Sequence, residues 1–125
     1  MRSVLGLGLM ASVWMASPAA AQSAHRLVVI VAEPNDPRAS QENLALKQAH
    51  AELRSRDVVV QNITPEAARR DRGELGVGPQ ATFEVLLVGK DGGVKLRRDK
   101  LVIASEIIAL IDTMPMRREE MKHRS

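Results

Sequence analysis

Thr82-Phe83-Glu84-Val85-Leu86-Leu87-Val88-Gly89-Lys90-Asp91-Gly92-Gly93-Val94-Lys95-Leu96-Arg97-Arg98 reads as a β-hairpin. Phe83 to Val88 is an apolar, β-branched run suited to a strand buried on both faces. Asp91-Gly92-Gly93 supplies the positive φ angles of a tight turn. In the return strand Val94 and Leu96 alternate with Lys95 and Arg97, which predicts one face on the core and one cationic face in water.

Upstream of the hairpin, Leu27-Val28-Val29-Ile30-Val31-Ala32 is a continuous apolar run of the kind found in a central parallel strand, preceded by a short polar lead, Ser23 to Arg26. Asp36 and Pro37 then stand as N-cap and first helical residue. The helix they open is expected to run to about Arg56, with Leu46, Ala49, His50 and Leu53 on its buried face and Glu42, Lys47, Glu52 and Arg54 toward water. Asp57 to Ile63 reads as a second strand, parallel to the first because a helix joins them. Thr64 and Pro65 repeat the helix-start signal, and the short helix they open gives way to a stretch broken by Gly73, Gly76, Gly78 and Pro79.

Beyond the hairpin, Ile103, Ile107, Leu110, Ile111 and Met114 mark one face of a last helix that Pro115 ends, leaving residues 115–125 as a basic tail. The order β-α-β-α-β-β-α predicts a thioredoxin-like α/β domain, a mixed four-stranded sheet with helices on both faces.

Residues 1–21 are expected to be a secretory signal peptide: Arg2, an apolar run from Val4 to Met15, then Ala19-Ala20-Ala21 before Gln22. The apolar run is about a dozen residues, short of the roughly 20 that span a bilayer, so no stable membrane anchor is expected after cleavage. The expectation is a periplasmic or secreted protein formed by one domain over residues 22–125, with its core at about 26–114. The chain has no cysteine, which removes disulfides, thiol chemistry and a lipid anchor through a cleavage-site thiol. The 125 residues carry a net charge of +3, and beyond residue 21 Phe83 is the sole aromatic. Nucleic-acid binding, which calls for a denser basic stripe with aromatics for stacking, is therefore not expected.

Val88 to Arg97 and Ile111-Asp112-Thr113-Met114-Pro115-Met116-Arg117-Arg118-Glu119-Glu120-Met121, together with Val31-Ala32 through Asp36-Pro37-Arg38, resemble an uncharacterised bacterial family of exported proteins. That family is related to the P-DUDES domains of vertebrate sushi-repeat and coiled-coil-containing extracellular proteins. The resemblance implies a thioredoxin-like fold and a kinship to peroxiredoxin-type oxidoreductases, and it carries over no catalytic residue. Thiol chemistry in the wider fold uses cysteines at the start of the first helix, where the dipole depresses their pKa, and a proline just before the hairpin. Here Asn35, Asp36, Pro37 and Arg38 hold the helix start, and Ala81 precedes Thr82.

Two groups of residues are candidate sites. Asn35, Asp36 and Arg38 lie at a strand end and a helix start, where an anion could be held; the plainer reading is a helix cap. Lys95 and Arg97 on the hairpin and Arg117 and Arg118 on the tail could merge into one cationic surface for an acidic partner, against the plainer reading of a charged, aggregation-resistant strand edge. Met114, Met116 and Met121 do not share one helical face, and His25, His50 and His123 are isolated, so no metal site and no cofactor is expected. The glycines between Gly73 and Gly78 precede a strand instead of opening a helix, which excludes a phosphate loop. No catalytic residue is named. The sequence points to an exported, non-catalytic binding or interaction module whose partner is a protein or an anionic ligand of the cell envelope. A divergent oxidoreductase or peroxidase-related enzyme working without a thiol is the alternative.

Overall fold

The computed structural model describes residues 23–124, and the expected signal segment, residues 1–21, lies outside them. Strand β1 (Arg26–Ala32) leads into helices α1 (Pro37–Gln48) and α2 (His50–Arg54), then strand β2 (Val58–Ile63) and helix α3 (Pro65–Asp71). A 3-10 turn (Gly73–Leu75) precedes strands β3 (Phe83–Val88) and β4 (Val94–Arg98), and helices α4 (Ala104–Asp112) and α5 (Pro115–Arg124) close the described chain. The sheet is mixed, in the order β2-β1-β3-β4, with β1 and β2 parallel and both other pairings antiparallel.

The central strands are apolar because both their faces are covered. Val28, Ile30, Val85 and Leu87 pack with Leu46, Leu53, Ile107 and Ile111 from α1, α2 and α4. Val29, Val31, Leu86 and Val88 pack on the opposite face with Ala68 and Leu75 from α3 and the 3-10 turn. Each such side chain removed from water contributes about 1.5–3 kcal/mol, and a chain without disulfides depends on that sum. Helix starts follow their caps: the Asp36 carboxylate accepts from the Arg38 N–H at 2.9 Å, and the Thr64 hydroxyl accepts from the Ala67 N–H at 3.1 Å. In each case proline occupies the first turn, where its missing N–H is not needed.

Several expectations are corrected. The first helix does not run unbroken to Arg56; it breaks at Ala49 (φ −100°, ψ 20°) without a Pro or Gly to announce it. His50, expected on the buried face, is exposed, whereas Glu42, expected in water, is only 1% exposed. Glu42 lies four residues before Leu46, so helical geometry puts it at the head of the buried stripe. Arg26, read as part of a polar lead, belongs to β1 and is also 1% exposed. Ile103 caps α4 from outside its buried face and is 68% exposed. Residues 115–124 form helix α5, because Pro115 stops α4 and also occupies the first position of the next helix.

The largest correction concerns β4. Leu87 pairs with Leu96 but Val88 pairs with Val94, so Lys95 is the extra residue of a β-bulge. The bulge breaks the alternation expected of the strand: Val94 packs with Val88 on the α3 side of the sheet, and Leu96 packs with the cluster under α4.

Candidate functional site

At the β1–α1 connection, the predicted residues Asp36 and Arg38 are brought together and Asn35 is not. Arg38 clamps the Asp36 carboxylate with Nε at 3.0 Å and Nη2 at 2.6 Å, and its guanidinium lies 4.7 Å from the centre of the Phe83 ring. The hydrogen bonds from the Arg38 side chain and backbone hold the Asp36 carboxyl below its ordinary range. A planar cation stacked on an aromatic face while forking a carboxylate is a finished interaction. Asn35 stands exposed beside it.

The four cations predicted to form one surface are dispersed. Lys95 bonds Asp91 at 2.8 Å across the hairpin turn, near the α4–α5 junction. Arg97 points to the other side, pairing with Glu84 and donating to the Leu75 carbonyl. The bulge at Lys95 explains this divergence, since it rotates the side chains on either side of it out of simple alternation. Arg117 is 6% exposed and reaches Glu120 and the Ser55 carbonyl, and Arg118 alone of the four is on the open surface of α5.

Arg117 belongs to a buried ionic centre that sequence periodicity does not reveal. Glu120 on α5 accepts from Arg26 of β1 at 3.2 Å and from Lys90 of the hairpin at 2.7 Å. Lys90 also bonds Asp57 at 2.8 Å, just before β2. Burial works against ionisation of Glu120, but the hydrogen bonds from Lys90 and Arg26 overcome it and hold its pKa at about 2. Arg56 forks Asp112 of α4 with two bonds of 2.9 Å, which keeps that carboxyl low as well. These pairs fasten α5 and the end of α4 to the sheet, so the basic stretch is a docked helix that turns Arg117 and Glu120 inward and leaves Arg118, Glu119 and Lys122 exposed.

The third feature is a groove with a cavity volume of about 710 Å³ between α1–α2 and the outer edge of β2. Leu46, Leu53, Val58 and Val60 give it an apolar lining, and Lys47 and Arg54 add two exposed cations. Neither cation makes an ion pair among the described residues, in contrast to Lys90, Lys95, Arg97, Arg98 and Arg117. No group of three or more metal-ligating His, Asp or Glu side chains occurs among the described residues, and none of their helices is long and apolar enough to cross a membrane.

No curated protein and no solved structure matches the chain. A family profile does, spanning residues 18–120 and so reaching from before β1 to Glu120 at the centre of the α5 contact. The chain therefore belongs to the family described as Domain of unknown function (DUF4174).

Proposed function

We propose that the chain is an exported, thioredoxin-like binding module that performs no catalysis of its own. With α1 and α2 counted as one broken helix and α5 as an addition at the end, the elements keep the order β-α-β-α-β-β-α, with the antiparallel β3 between β1 and β4, which supports the thioredoxin-like reading. The observation that carries the function is the Asp36–Arg38–Phe83 unit. It fills the strand-end and helix-start position at which the redox members of that fold place a thiol, and it does so with groups already satisfied by one another. A guanidinium forked onto a carboxylate offers neither a nucleophile nor a proton at neutral pH. The remaining surface suits recognition, and the β2 groove offers it a recess.

Insulin-reduction and peroxide-consumption assays test the reading. The expected result is no turnover above the protein-free rate, and turnover in either assay overturns it. Export is tested separately by N-terminal sequencing of the protein recovered from the cell envelope or medium, with Gln22 expected as its first residue.

A further inference from the structure

We infer that the outer edge of β2 is a docking site for an extended peptide segment that joins the sheet as a fifth strand and mixes carboxylates with apolar side chains on one face. The inference rests on the binding-module reading and specifies the partner's chemistry.

The two edges of the sheet are built differently. Edge strand β4 is blunted by the bulge at Lys95 and by Lys95, Arg97 and Arg98, the protections that keep a strand edge from pairing with other chains. Edge strand β2 reads Val-Val-Val-Gln-Asn-Ile, with no charge, no proline and no register shift against β1. Among the described residues its backbone hydrogen bonds go to β1 alone, which leaves its outward N–H and C=O groups unpaired there, and Val59 is 39% exposed. A strand of six residues with one unsatisfied edge is a template for strand addition, in which backbone bonds supply affinity and flanking pockets read alternate side chains.

The groove supplies the reading of side chains. A strand laid beside β2 would project every second side chain toward Leu46, Leu53, Val58 and Val60, which selects apolar groups. Lys47 and Arg54 line the same recess, and Asp57, its one carboxylate among the described residues, is already bound by Lys90. The field in the groove is thus positive and selects carboxylates. The same cations argue against a second copy as the occupant. A two-fold antiparallel pairing of β2 with itself keeps the helices of both copies on one face, which sets two Lys47 and two Arg54 side chains across one seam.

The test uses the ¹⁵N-labelled protein and a probe peptide, acetyl-Glu-Thr-Val-Thr-Glu-Thr-Val-amide, which presents Glu and Val on one face of a strand. Two control peptides replace Glu by Lys or carry N-methyl groups on alternate residues. The expected result is saturable amide shifts in Val58 to Ile63 and beside Lys47 and Arg54, with binding weaker by about tenfold or more for each control. The double variant Lys47→Glu/Arg54→Glu, changed only at exposed positions, should keep its fold by circular dichroism and invert the preference toward the Lys peptide. Absence of shifts, shifts elsewhere on the protein, or equal binding of the N-methylated peptide overturns the inference while leaving the module reading in place. Concentration-dependent dimerisation that broadens the β2 amides without peptide also overturns it, in favour of a second copy. Turnover in the redox assays removes the module reading itself.

Discussion

The Glu42 carboxylate accepts the backbone N–H of Val102 at 2.8 Å inside the core, joining the second turn of α1 to the segment that leads into α4, sixty positions away. Its other oxygen is buried and has no hydrogen-bond partner among the described residues. A carboxyl group in such a place is an acceptor for a backbone donor that no strand or helix satisfies, and its charge is what the surroundings resist.

Burial raises the pKa of Glu42, and the Val102 hydrogen bond only partly offsets this. A folded pKa above the unfolded one means that the contribution of Glu42 to stability is complete below its ordinary value of 4.5 and declines as pH rises through the folded pKa. Glu42→Gln keeps an acceptor for Val102 and cannot ionise, so its stability relative to the native chain should improve as pH rises from 4.5 toward neutrality. Glu42→Leu leaves the Val102 N–H buried and unpaired and should be about 1–3 kcal/mol less stable than Glu42→Gln at any pH. Urea unfolding of the three proteins from about pH 4 to 8 checks both statements. A Leu variant as stable as the Gln variant would remove the structural role assigned to the carboxyl group.

Glu120 gives the opposite limb. Its pKa of about 2 lies below the ordinary 4.5, so the stabilisation it provides is complete above pH 4.5 and is lost as pH falls from there toward 2. Its side chain is 19% exposed, and with that discount the effect is about 2–3 kcal/mol. Glu120→Gln should lower stability by a similar amount at neutral pH and flatten the acid limb. The cause is mainly Arg26 and Lys90, left without the charge that balances them. Equal slopes for the native chain and the variant between pH 4.5 and 2 would show that another carboxylate governs acid unfolding.

The strands and helix starts were legible because each rests on a local device: apolar runs for β1 and β3, Asp91-Gly92 for the hairpin, and Asp36-Pro37 and Thr64-Pro65 for α1 and α3. The docking of α5 was not, since the residues that hold it, Arg117, Glu120 and Arg124, are charged and hydrophobic periodicity is blind to a face held by polar contacts. Lys95 and Arg97 failed as a joint site for a related reason. A bulge depends on how two strands meet, and nothing within Val94 to Arg98 alone records it. The β2 groove became visible only with the strand order, which turns a valine run into an unprotected edge. Glu42 was the one signal that could have been read, four positions ahead of Leu46 on the buried stripe.

Removing α5 tests its assignment as a docked helix. Arg26 is 1% exposed with α5 in place; a chain ending at Met114 loses Arg117 and Glu120, which leaves the Arg56 carbonyl at 2.9 Å as the side-chain partner of Arg26 among the described residues and admits water on the α5 side. A guanidinium left buried without its carboxylate costs about 3–5 kcal/mol, and the water admitted where α5 lay lowers that cost. The truncated chain is expected to unfold well below the full one in a thermal scan, and Arg26→Met in the truncated chain should recover part of the loss by replacing the charge with apolar bulk. A basic tail in solvent would predict no change on truncation and no benefit from Arg26→Met.

Gly92 links the hairpin turn to this ionic centre. Its φ of +85° lies where a side chain is strained, and a Cβ there would meet no atom within 4 Å, so the cost of substitution is conformational alone. Gly92→Ala should destabilise the protein by about 1–2 kcal/mol, and Gly92→Asn by less, because asparagine tolerates left-handed backbone better. The Gly92 N–H donates to the Gly89 carbonyl at 3.0 Å, and Lys90, between them, binds Glu120 and Asp57. A strained turn should therefore loosen α5 as well as the hairpin. Hydrogen exchange is expected to quicken in both segments of Gly92→Ala, with the α3 amides less affected. Faster exchange confined to residues 89–94 would show that the turn and the α5 contact are energetically independent.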